Sequence, residues 1–214
     1  MQAEGVIRFD LRFSAAAPLA VDLGDLNRWR GILRRRGLIG QEPGRYGGYG
    51  FGNVSQRLTP FTAERGKRAF VISGTQTAAL EKLDNRHYAL VSGWDIGRNR
   101  VLASGPVKPS SESLTHAMIY DLDDTLRAVL HVHSPHIWKA AADLDIPLTD
   151  SSAEYGTAAM AVEVRRLFEQ TTVRQTGIFA MGGHEDGVVS FARDVEQAGQ
   201  VLLNALNESR HTAQ

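Results

Sequence analysis

Residues 128–136 read Ala-Val-Leu-His-Val-His-Ser-Pro-His, and no other stretch of the chain restricts its fold as tightly. Val129, Leu130 and Val132 are the apolar, largely β-branched residues of a buried strand. Side chains two residues apart on a strand project from the same face, so His131 and His133 point together. Ser134 and Pro135 then read as the N-cap and first residue of a helix, where the missing proline N–H is no loss. Two neutral imidazoles side by side at a strand end are placed to share one metal ion. Such a pair can equally be one buried, hydrogen-bonded histidine and one exposed one, and the choice rests on residues elsewhere.

The chain contains no cysteine. Disulfides and thiolate metal sites are therefore excluded, and a metal would take histidine and carboxylate ligands. Lys+Arg and Asp+Glu both number 24, which removes any general attraction to nucleic acid or an anionic membrane. An anion site must be local. The 214 residues, 43% of them hydrophobic, suit one domain spanning 1–214 with a sizeable core. No segment has the length and apolarity of a membrane span, and the first residues lack a basic-then-apolar leader pattern. The expectation is a cytoplasmic protein with no nucleic-acid or membrane partner.

Along the chain, Ile7, Phe9, Leu11 and Phe13 alternate with polar residues, the period of a half-buried strand. Residues 22–36 carry Leu26, Trp29 and Leu33 on one helical face, with Gly37 as the stop. Residues 44–55 hold five glycines between Gly44 and Gly52, either a tight connection or a loop whose N–H groups approach a ligand closely. Residues 70–75 form a strand running into a turn, 75–83 a short helix, and 88–94 another strand. Residues 109–116 open a helix, with Ser110 or Ser111 as cap and Glu112 in its first turn. This is a plain capping motif or an anion site built from free N–H groups and hydroxyls. Glu112 and His116 fall on one face. Residues 157–170 are helical, 177–181 form a strand, and His184 follows Gly182 and Gly183 in a turn. Ser190 caps the last helix.

Taken in order, Gly52-Asn53-Val54-Ser55, Ile72-Ser73-Gly74-Thr75, Pro109-Ser110-Ser111-Glu112, His131-Val132-His133 and His184 resemble the class II aldolase/adducin family. That family includes fuculose-phosphate and rhamnulose-phosphate aldolases and ribulose-phosphate 4-epimerase. The resemblance implies an α/β fold of three layers, α/β/α, with a central, mostly antiparallel sheet. Residues 1–22 would add an N-terminal strand. It implies a homo-oligomer, often a tetramer, and a divalent metal, usually Zn2+, held by His131, His133 and His184. Glu112 would be the catalytic acid/base, and Asn53, Ser73, Gly74, Ser110 and Ser111 the phosphate-binding residues. The implied activity is a lyase of aldolase type. Its partner would be a small-molecule substrate, a sugar phosphate or hydroxy acid, reacting through a metal-stabilised enediolate. Epimerase, dehydratase and decarboxylase chemistry use the same platform, and adducins keep the fold as a binding module. Two departures stand out. His184 is followed by Glu185-Asp186 where the family has glycine, and residues 148–153 lack the family's tyrosine proton donor.

Overall fold

The structure is a computed structural model and describes residues 5–212. Ten strands form in chain order: β1 (Asp10–Ala15), β2 (Gly40–Gln41), β3 (Gly50–Phe51), β4 (Asn53–Arg57), β5 (Phe70–Ser73), β6 (Tyr88–Asp95), β7 (Arg100–Gly105), β8 (Ala128–His133), β9 (Ile178–Ala180) and β10 (Gly187–Ala192). Six helices accompany them: α1 (Gly24–Arg35), α2 (Ser113–Leu122), α3 (Pro135–Lys139), α4 (Ala158–Gln170), α5 (Val173–Thr176) and α6 (Val195–Thr212). Eight strands build one sheet in the order β1-β7-β6-β5-β4-β8-β10-β9, and β2 pairs with β3 apart from it. Every neighbouring pair in the large sheet is antiparallel except β1 with β7.

Each face of the sheet is covered by helices, because strands buried on both sides alternate between two cores. On β8, Val129 joins the core beneath α2 and α4, with Leu114, Met118, Met160 and Val164. Ala128, Leu130 and Val132 join the opposite core beneath α1, α3 and α6, with Leu26, Leu33 and Leu202. Val129, Leu130 and Val132 are completely buried, each worth about 1.5–3 kcal/mol relative to exposure. The three-layer architecture with a mostly antiparallel sheet is thus present.

Several local expectations are corrected. The first strand covers Asp10–Ala15, three residues later than the alternation of 7–13 begins, and it lies parallel to a strand, β7, that has no counterpart in the sequence reading. Residues 75–83 form turns, not a helix. Arg30 on α1 is buried, and its guanidinium donates to the carbonyls of Thr77, Ala78, Leu80 and Glu81, while Arg34 donates to Ala79. Carbonyls taken by arginine are lost to a helical ladder. Glu112 is the N-cap residue of α2 rather than a first-turn residue. Ser190 lies inside β10, where its hydroxyl donates to Ala198 O. Asp194, next to Val195, accepts from Gln197 N and caps α6. The expected start at Ser134-Pro135 holds: the Ser134 hydroxyl accepts from Ile137 N at 3.3 Å.

Candidate active site

His131 and His133 share the face of β8 that carries Val129, and so look toward α2. Antiparallel pairing sets Asn53 of β4 opposite His131 and Gly187 of β10 opposite His133. His184 arrives on a tight turn joining β9 to β10, closed by Gly187 N–H donating to His184 O at 3.0 Å. Only glycine fits just ahead of it. A Cβ on Gly183 would stand 2.0 Å from Ala153 O, so the turn lies flat against residues 149–153. The three imidazoles then meet, their potential ligand atoms all within 4.8 Å of one another. His133 Nε2 and His184 Nε2 are 2.9 Å apart.

All three rings are buried. Burial, and next the neighbouring His184, holds His131 and His133 well below the ordinary histidine pKa, so both are neutral at pH 7. Neutral imidazole is the form that binds a cation. His131 Nε2 is buried with no hydrogen-bond partner among the described residues, a costly arrangement that a bound ion would relieve. The donor set therefore fits a divalent metal. Glu112 stands beside it: Oε1 lies 3.5 Å from His184 Nδ1, and Oε2 accepts from the Thr115 hydroxyl at 3.2 Å. The carboxyl group is buried.

A cleft opens from this cluster, lined by Asn53, Gly74, Ser110, Ser111, Glu112 and His131. Gly52, at φ +80, lets the chain enter β4 close against Ile39; a Cβ there would stand 2.8 Å from Ile39 Cγ1. Two expected residues contribute differently from the rest. The Gly74 N–H is taken by His87 O at 2.9 Å, so Gly74 offers space rather than a donor. The Ser73 hydroxyl accepts from Val54 N and is not part of the cleft lining.

Sequence reasoning does not bring Tyr46, Tyr155 and Arg8 to the site, and it leaves Glu185-Asp186 either as a solvated turn or as carboxylates that alter the ligand geometry or supply a further acid/base group. Tyr46 packs its ring against His133, with centroids 4.5 Å apart. Its hydroxyl donates to Asp186 Oδ2 at 2.7 Å and accepts from Arg45 at 2.9 Å. Burial, then the Asp186 carboxylate, raises the Tyr46 pKa, so the phenol stays protonated. Tyr46 has φ 48, a left-handed conformation that these contacts hold in place. Asp186 is therefore buried and bonded, unlike exposed Glu185. Tyr155, also buried, sets its ring 4.5 Å from that of His184, and the Arg8 guanidinium lies 4.6 Å over the same tyrosine ring while pairing with Glu154. The signal for Tyr155 is the glycine after it: Gly156, at φ +68, comes against Ser111 O. His136, outside the expected ligand set, is exposed.

Residues 45–205 match the family described as Class II Aldolase and Adducin N-terminal domain. No curated protein matches the chain by sequence. Among solved structures, an L-fuculose 1-phosphate aldolase is similar at TM-score 0.62 and 19% identity, covering 90% of this chain and 84% of that one. An L-fuculose-1-phosphate aldolase from Thermus thermophilus gives TM-score 0.61 at 15% identity, covering 88% and 91%. A putative aldolase/epimerase/decarboxylase from Escherichia coli gives TM-score 0.59 at 15% identity, covering 87% and 85%. At these identities the likeness is one of fold, and the sequence match supplies the family. With the ordered motifs, the three-layer fold and the histidine cluster in agreement, the chain belongs to the class II aldolase/adducin family.

Proposed function

We propose that this chain is a divalent-metal-dependent lyase of aldolase type, acting on a small hydroxy-carbonyl compound that carries a phosphate. The observation that carries this reading is the meeting of three buried imidazoles with a buried carboxyl group at the inner end of a hydroxyl-lined cleft. A scaffold protein has no need of buried histidines gathered in this way. His131, His133 and His184 would hold the metal, with zinc the best match to a three-histidine set. A divalent ion held there would supply Lewis acidity to polarise the substrate's carbonyl. Ser110, Ser111 and Asn53 bind and orient the phosphate, Gly74 leaves room for it just beyond β5, and Ser73 acts from outside the lining by holding Val54 N of β4. Glu112 takes a proton from the carbon or hydroxyl beside the carbonyl and returns it after the bond change. Burial of the cluster keeps competing water out. Assembly as a homo-oligomer belongs to the same reading.

Residues 148–153 supply no tyrosine, and this favours keeping a second reaction in view: epimerisation, dehydration or decarboxylation on the same residues. Elemental analysis of the purified protein beside the His131→Ala/His133→Ala variant tests the metal centre. About one ion per chain is expected in the wild type and none in the variant; equal metal in both, or none in either after reconstitution, rejects it. Cleavage of sugar phosphates to a triose-sized product then separates the lyase from the alternatives. Glu112→Gln should lose about 10²–10⁴-fold in turnover with its metal retained.

A further inference from the structure

The Asn53 carboxamide lies 3.1 Å from the His131 ring nitrogen Nδ1. The two residues are direct partners in the β4–β8 register, which fixes this contact through the sheet backbone. Both are at least nine-tenths buried. A carboxamide keeps its shape when turned half a revolution, so which end faces the ring is decided by hydrogen bonding. With the amide nitrogen toward Nδ1, that ring atom accepts, the ring proton sits on Nε2, and two buried atoms are stranded. Among the described residues neither Asn53 Oδ1 nor His131 Nε2 then has a partner. With the amide oxygen toward Nδ1, the ring donates from Nδ1 and Nε2 presents a lone pair to the histidine cluster. The amide NH2 is then the end left to face the cleft that Asn53 lines. One rotation resolves both stranded atoms, provided a cation meets Nε2 and an anion meets the NH2 group.

We infer that Asn53 is a positioning residue for the metal ligand His131, fixing its Nδ1–H tautomer through its amide oxygen, and that the same amide donates its N–H to the substrate's anionic group. Metal and anion are thereby coupled through one side chain. Each should tighten the other, since coupling between two sites is reciprocal. The inference rests on the metal centre proposed above and adds a role that phosphate binding alone does not require.

The test measures zinc affinity by competition with a chromophoric chelator, with and without inorganic phosphate, on the wild type, Asn53→Ala, Asn53→Asp and Ser111→Ala. Removing the partner of a ligating histidine lowers metal affinity by about 10–100-fold, and Asn53→Ala should show this loss together with loss of the phosphate effect. Asn53→Asp keeps an acceptor for Nδ1–H but has no N–H to donate, so it should hold zinc near the wild-type affinity while phosphate no longer tightens it. Ser111→Ala should keep zinc affinity and weaken only phosphate. Nitrogen-resolved NMR of the metal-free protein adds a readout independent of loading: His131 should be protonated at Nδ1 in the wild type and in Asn53→Asp.

Zinc affinity unchanged in a folded Asn53→Ala overturns the inference, as does a His131 protonated at Nε2 in the wild type. Zinc affinity lost from a folded Asn53→Asp does so too, and this variant decides the matter if the alanine variant fails to fold. Failure of the metal centre itself reads differently. There the wild type, or the His131→Ala/His133→Ala variant, behaves contrary to expectation before any change at Asn53.

Discussion

Lowering the pH from 7.5 to 5 with the metal removed by chelation probes the burial of His116. This ring is completely buried on α2, its Nδ1 2.7 Å from the Ser55 hydroxyl, which in turn lies 2.8 Å from the Tyr120 hydroxyl. Desolvation brings its pKa down to about 3, against about 6.5 in an unfolded chain. Below pH 6.5 the unfolded state therefore binds a proton that the folded state refuses, and stability falls as pH falls. The slope for one such group is about 1.4 kcal/mol per pH unit, so His116 alone should remove about 2 kcal/mol by pH 5. His131 and His133 act in the same direction, so the measurement needs a control. His116→Asn keeps a polar group near Nδ1 but has nothing to titrate. Urea unfolding at pH 7.5 and pH 5 should give a loss about 2 kcal/mol smaller in the variant, whatever its stability at pH 7.5. Equal losses in the two proteins would mean that His116 accepts its proton in the folded state, which refutes the desolvation argument.

Three further outcomes follow from the geometry. Gly183→Ala places a methyl against Ala153 O, at 2.0 Å in the present backbone; the turn must move, and zinc affinity measured by chelator competition should fall by about tenfold or more, as for other losses of ligand orientation. Tyr46→Phe deletes a hydroxyl that donates to buried Asp186, and should cost about 1–3 kcal/mol in urea unfolding; no loss would show that Asp186 finds water instead. Arg30→Met removes the donors held by Thr77, Ala78, Leu80 and Glu81. Residues 77–81 should then become the first site of limited proteolysis, whereas an unchanged cleavage pattern would assign their order to other contacts.

Features set by neighbours in sequence are the legible ones. The β8 pattern, the Ser134-Pro135 helix start, the helix over 157–170 and the apolar face of α1 all declare themselves within a few residues, whereas the Thr157 hydroxyl that caps α4 by accepting from Met160 N is read only from the structure. The ordered motifs carry the family, and with it the sheet that no local period reveals. What stays hidden depends on distant partners. Residues 75–83 look helical until Arg30, far earlier in the chain, takes their carbonyls. Asp186 reads as a solvated turn residue until the glycine-rich loop lays Tyr46 over it. Tyr155 reads as part of the glycine-threonine motif that follows it, yet the loop it occupies folds back onto His184. The family resemblance singles out Asn53 as a candidate phosphate residue, but its contact with His131 comes from strand register, which alternation alone does not disclose.

Two of the three candidate ligands sit on β8, a strand paired along both edges in the interior of an eight-stranded sheet, whereas the third rides on a turn. Amide hydrogens should divide along the same line. Those of β8 should exchange only through near-global unfolding, and those of residues 181–187 through local opening at far lower free energy. Metal release would then follow the opening of one turn. The ion could leave and return many times within the lifetime of a single folded molecule, the paired histidines waiting in place on the strand.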